Sequence, residues 1–139
     1  MRAFFHRTLS FFSIVLLALA MTACSAGGTP EKVAEKFISS MYQGDVDTVL
    51  SLIHFPEEEK NKPGTENMLR GKLQMMVAEA QEKSSEMGGI QSIKAESVEY
   101  SDNNAQARVQ VKVVFKKDNK EINDSIRLIK DGNQWKVRL

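Results

Sequence analysis

Residues 105–115 read AQARVQVKVVF: Ala105, Ala107, Val109, Val111, Val113 and Phe115 take every second position, with Gln106, Arg108, Gln110 and Lys112 between them. A period of two is that of a strand with one buried face. On either side, residues 101–104 (SDNN), 117–120 (KDNK) and 131–133 (DGN) are turn clusters, so the strands of this half join as antiparallel hairpins. Ile122, Ile126 and Leu128 mark a third strand; Trp135, Val137 and Leu139 mark a fourth. The strand that opens at Ile90 changes phase, with Ile93 and Ala95 pointing one way and Val98 and Tyr100 the other. A bulge near Glu96 and Ser97 reconciles them.

Upstream of Ile90 the period is helical. Thr29-Pro30-Glu31 supplies an N-cap, a first-turn proline and an acid, and Val33, Ala34, Phe37, Ile38, Met41 and Tyr42 follow at helical spacing until Gly44. Asp45 caps a second helix with an apolar side of Val46, Val49, Leu50 and Ile53, ended by His54-Phe55-Pro56. Residues 57–64 (EEEKNKPG) read as a polar loop. A third helix runs from Thr65 or Glu66 to Met87, with Leu69, Leu73, Met76, Val77 and Ala80 inside one arc of about 100°. The expected fold is α+β: N-terminal helices packed on one face of a curved four-stranded antiparallel sheet, with Trp135, Phe37, Val111 and Leu73 buried together.

The chain of 139 residues is 42% hydrophobic and 27% charged, which suits one compact domain after a leader. Nineteen basic residues against 18 acidic leave no electrostatic footprint for nucleic acid. Acids dominate residues 31–89 and bases residues 90–139. The outer sheet face is therefore expected to be basic through Arg108, Lys112, Lys116, Arg127, Lys130, Lys136 and Arg138, a solvated row also suited to anionic lipid headgroups.

The leader decides the compartment. Arg2 and Arg7 precede an apolar run at residues 11–20 (FFSIVLLALA), too short for a bilayer span of about 20 residues and suited to a signal peptide. Met21-Thr22-Ala23-Cys24 then resembles a bacterial lipobox, in which the cysteine is acylated and becomes the mature N-terminus. An unpaired thiol is a liability in an oxidising compartment, and a thioether-linked diacylglycerol removes it. The expected division is residues 1–23 as cleaved signal peptide, 24–29 as lipidated Cys24 and short linker, and 30–139 as the domain. Acyl chains on Cys24 make the membrane the first partner. Ser25, in place of an Asp retention signal, points by the same resemblance to the periplasmic face of the outer membrane in a two-membrane cell, or otherwise to the outer face of the cell membrane.

With Thr29-Pro30-Glu31, Val33-Ala34, Phe37 and Gly44-Asp45 at one end, and the alternating strand, Asp131-Gly132-Asn133 and Trp135-Lys136-Val137 at the other, the chain resembles a family of bacterial lipoproteins. These carry a nuclear-transport-factor-two-like, cystatin-like domain of unknown function, similar to lumazine-binding-like domains. The resemblance implies the cone-shaped fold and places acids and tyrosines inside the cone. Its motifs are structural and speak to fold rather than activity.

Few residues offer chemistry. His54 is the lone histidine after the leader, and no set of His, Cys and acids has metal-ligand spacing, so neither metal nor cofactor is expected. His54 is expected beside the end of the second helix. Strict alternation puts Asp124 on the inward face between Ile122 and Ile126, where Tyr100 or Tyr42 would partner it in acid–base work. The turn-like triplet Asn123-Asp124-Ser125 instead favours a bulge or rim segment that turns the acid to water. Met68 and Met75 form a second apolar line on the third helix, suited to a partner surface or to packing under the second helix and the 57–64 loop. The leading expectation is a membrane-tethered envelope lipoprotein acting as a non-catalytic binding module for an unidentified protein or small molecule. The alternatives are a small-molecule pocket or acid–base enzyme built on Asp124 and a tyrosine, and a purely structural envelope lipoprotein.

Overall fold

Thr29 Oγ1 accepts the Lys32 N–H at 3.4 Å and opens helix α1 (Pro30–Gln43), with Pro30 in the first turn, where its missing N–H costs nothing. The computed structural model describes residues 28–139, so the signal segment, Cys24 and most of the linker lie outside the described residues. Gly44 ends α1 in the left-handed region (φ 83°), returning its N–H to the Met41 carbonyl; a side chain there would overlap the Gln81 amide. Asp45 caps α2 (Val46–Leu52), accepting from the Thr48 N–H at 3.0 Å.

The 57–64 stretch is not wholly loop. Glu57–Lys60 forms a one-turn helix, α3, whose three glutamates sit in its first turn while Lys60 reaches back to Glu57. The expected third helix is thus α4 (Thr65–Glu86).

Strands β1 (Ile90–Ser101), β2 (Gln106–Phe115), β3 (Glu121–Asp131) and β4 (Gln134–Val137) form one antiparallel sheet in chain order. The β1–β2 ladder skips register between Ala95 and Ser97, at the expected bulge, and again between Ile90 and Ser92. Glu35 Oε1 accepts the Ala95 N–H at 2.8 Å, so α1 supplies a partner at the bulge. The short β4 pairs with Leu128–Asp131 alone, and residues 121–126 of β3 have no strand on that edge among the described residues. At the free side of β4, Ile53 bridges Val137 in parallel and the His54 N–H reaches the Val137 carbonyl at 2.8 Å.

Helix α1 lies across the inner face, touching all four strands, while α4 leans on α1 and α2. Val33, Ala34, Phe37 and Ile38 of α1 meet Ala107, Val109, Val111, Val113 and Phe115 of β2, with Leu73 and Val77 of α4 in the same core. Phe115, Leu73, Val49 and Val111 are wholly buried, each contributing about 1.5–3 kcal/mol. Trp135, Phe37, Val111 and Leu73 share this core, as their spacing predicts.

The outer sheet face is not the continuous basic row expected. Lys112 lies between Glu96 (2.7 Å) and Glu121 (3.5 Å), so two acids interrupt the basic row where the three strands meet. Lys130 pairs across the ladder with buried Trp135 and holds its ammonium 5.8 Å from that ring, on the inner side of the sheet. Lys136 reaches around the β4 edge to donate to the Ser51 carbonyl at 2.7 Å.

Candidate functional site

The β2–β3 ladder runs without a register shift from Gln106↔Ile129 to Val114↔Glu121. The expected bulge at Asn123-Asp124-Ser125 is therefore absent. Asp124 faces Val111 across the ladder and stands half-buried on the inner face between Ile122 and Ile126. Pairing with β2 at every step outweighs the local turn preference of the triplet.

Of the two candidate tyrosines, the fold brings one to Asp124. Tyr42, on the last turn of α1, packs edge-on against Phe115 at 5.7 Å between ring centres. Burial, and secondarily the Asp124 carboxylate, push its phenol above the ordinary pKa. Tyr100 lies elsewhere: it pairs with Ala107, four residues and about 13 Å along β2 from Val111. Its ring sits 6.1 Å from Trp135 and remains 48% exposed. Burial, and then the Glu31 charge, raise the Tyr100 pKa. Glu31, in the first turn of α1, has its Oε2 sealed from solvent without a hydrogen-bond partner among the described residues. A proton held by Tyr42 beside Asp124 is thus the one acid–base pairing on the inner face that the sequence reading anticipated.

His54 follows α2 as expected, and its Nδ1 lies 3.3 Å from Asp131 Oδ2 at the sheet rim, remote from Asp124 in the ladder. Among the described residues no three His, Cys, Asp or Glu side chains gather as a metal site. No described helix is long and apolar enough to cross a membrane.

Met68 and Met75 are not covered by α2 or by the 57–64 segment. They are 60% and 75% exposed on α4, with Met76 exposed beside them, while Leu73 and Val77 on the opposite side of the helix enter the core. Exposed methionines make an adaptable apolar surface.

A feature that sequence spacing did not disclose lies where the described chain begins. Two clefts meet at Gly28 and Trp135. One, of about 410 Å³, is lined by Lys32, Lys36, Ser51, Gln134 and Lys136; the other, of about 380 Å³, by Thr29, Tyr100, Asn104 and Lys130. Lys32 and Lys36 are one helical turn apart, a legible signal, but only the fold brings β3 and β4 beside them.

A family model described as "Domain of unknown function (DUF4878)" matches residues 22–138. Among solved structures, a Campylobacter jejuni chain described as "Putative NTF2-like transpeptidase" is 27% identical with a TM-score of 0.71, over 81% of this chain and 99% of that one. A de novo designed NTF2 fold protein, NT-9, is 16% identical with a TM-score of 0.43, over 78% of this chain and 81% of the design. No curated protein matches this chain. The helices followed by a four-stranded antiparallel sheet are the NTF2-like cone seen in the Campylobacter structure.

Proposed function

We propose, from the premise that this chain belongs to the DUF4878 family of unknown function, that it is a non-catalytic binding module of the cell envelope, anchored through an acylated Cys24. The observation that carries this reading is the contrast between a filled interior and an open exterior. Phe115, Leu73, Val49, Val109 and Val111 leave the inner face packed, whereas Met68 and Met75 stand in solvent on α4. A helix that has already buried Leu73 and Val77 gains nothing within the fold from a second apolar line. Such a line suits a protein partner with an apolar face. The leader and the lipobox-like residues 21–24 support the anchor, and Ser25 supports the periplasmic face of the outer membrane in a two-membrane cell.

The test is affinity capture of the membrane-bound chain beside a Met68→Lys/Met75→Lys variant. A partner retained by the first and lost by the second sustains the module reading. Identical capture profiles would leave α4 without a role and favour a structural envelope protein.

A second reading rests on Asp124 and Tyr42 sharing the inner face and on the transpeptidase description of the Campylobacter neighbour. In it, an incoming amine attacks a peptide carbonyl and loses its proton to Asp124 as the new C–N bond forms, Tyr42 protonates the amine that leaves as the old C–N bond breaks, and the proton on Asp124 returns to Tyr42. Its test is exchange of a labelled amine into a peptide amide, abolished by Asp124→Asn. Equal exchange in that variant would remove the pair from consideration.

A further inference from the structure

We propose that the two clefts flanking Gly28 form a seat for the phosphate headgroups of an anionic phospholipid bilayer, holding the domain in one orientation on the membrane that anchors it. Charge carries the argument first. Every charged side chain lining either cleft is a lysine: Lys32, Lys36 and Lys136 in one, Lys130 in the other. None of the four has a carboxylate partner within ion-pair distance among the described residues. Three nearby acids are otherwise engaged: Glu35 accepts from the Ala95 N–H, Asp45 caps α2 and Asp131 faces His54. The fourth, Glu31, has its Oε2 sealed from solvent without a hydrogen-bond partner among the described residues. By contrast, the cleft between α2 and α4 mixes Lys60 with Glu59 and Glu66.

The second argument is reach. Three residues lie between Cys24 and Gly28, and the four Cα–Cα steps that join the two span at most about 14 Å, which keeps the clefts close to an acylated sulfur. A domain on that leash keeps its Gly28 end at the headgroups, and the two lysine-lined clefts both open beside Gly28. The third is the aromatic pair on the walls. Tyr100, 48% exposed and resting against buried Trp135, has an apolar body with a polar tip, the character of side chains found at the water–lipid boundary. Lysines near an anionic leaflet each strengthen association about fivefold, and their long stems let the ammonium groups reach separate phosphates.

The orientation half of this proposal rests on the anchor; headgroup binding by the lysines does not. The full mature chain is mixed with vesicles of phosphatidylcholine containing phosphatidylglycerol, and with vesicles of phosphatidylcholine alone. Amine-reactive labelling followed by mass spectrometry then reads each lysine. The same spectra report whether Cys24 carries acyl chains, so failure of the anchor reads separately from failure of the seat. Labelling of Lys32, Lys36, Lys130 and Lys136 is expected to fall severalfold in the phosphatidylglycerol vesicles alone, with Lys72 and Lys120 unchanged. If the chain is unacylated, co-sedimentation replaces anchoring, and Lys32→Gln/Lys36→Gln/Lys136→Gln is expected to weaken it about a hundredfold. Equal labelling in both vesicles, or equal sedimentation of the variant, overturns the seat. Equal protection by inorganic phosphate with phosphatidylcholine vesicles overturns the lipid assignment and leaves a free-anion site.

Discussion

Glu35 Oε1 accepts the backbone N–H of Ala95 at 2.8 Å, at the step where β1 skips register against β2. The bond joins α1 to the sheet at the one place near mid-strand where the ladder is interrupted. Glu35→Ala leaves a part-buried donor unpaired and is expected to destabilise by about 1–3 kcal/mol. Glu35→Gln keeps an acceptor oxygen and should lose much less. Urea unfolding of the two variants separates them, and equal losses would show that the carboxylate charge, not the acceptor oxygen, matters.

Trp135 is 7% exposed, with Leu128 and Val137 buried beside it on the inner face and the Lys130 ammonium over its ring. Trp135→Ala is expected to cost about 3–5 kcal/mol, read by circular dichroism in urea because the chain has a single tryptophan. A loss below about 1 kcal/mol would mean the ring serves a partner rather than the core.

Mass spectrometry of the mature N-terminus is expected to find acyl chains on Cys24. Cys24→Ser should abolish them and release the processed domain from membranes. An unmodified Cys24 thiol on the mature chain would contradict the anchor.

Tyr42 should titrate above the ordinary tyrosine value of 10.0, since burial and then Asp124 disfavour its phenolate. Asp124→Asn removes the second cause and should lower the Tyr42 pKa, followed by ultraviolet absorbance in a Tyr100→Phe background. The sign for stability follows: a folded pKa raised above the unfolded one keeps its contribution fully below pH 10 and loses it as pH climbs through the folded value. An unchanged Tyr42 titration in the Asp124→Asn variant would separate the two groups.

Periodicity carried most of the fold. The alternation at Ala107–Phe115 and the 3.6 spacing from Val33 to Tyr42 each bury one face, and burial is what periodicity records. The phase change in β1 likewise disclosed the bulge. Helix α3 escaped because four residues with no apolar member have no period to show. The turn preference of Asn123-Asp124-Ser125 is local, while the position of Asp124 is set by a partner strand more than ten residues away in the chain. The second line on α4 was visible as Met68 and Met75, but whether anything covers it depends on how α4 leans on α1 and α2. Charge patterning puts Lys130 and Lys136 in an outer basic row and singles out neither Lys32 nor Lys36; the two pairs lie far apart along the chain, and their grouping exists only once α1 crosses the sheet.

The brevity of β4 has its own consequence for encounters between copies of this chain. Where β3 runs on without a neighbouring strand among the described residues, its outer backbone groups offer a template on which another molecule could polymerise. The inward charge of Asp124 stands midway along that stretch, between Ile122 and Ile126, and a second strand docking there would have to strip it of water. The carboxylate that interrupts the apolar row is thus an inward-facing charge of the kind that blunts an open strand edge. Replacing it with valine would turn Ile122, position 124 and Ile126 into an unbroken β-branched ridge beside an open edge, the arrangement from which fibrils grow.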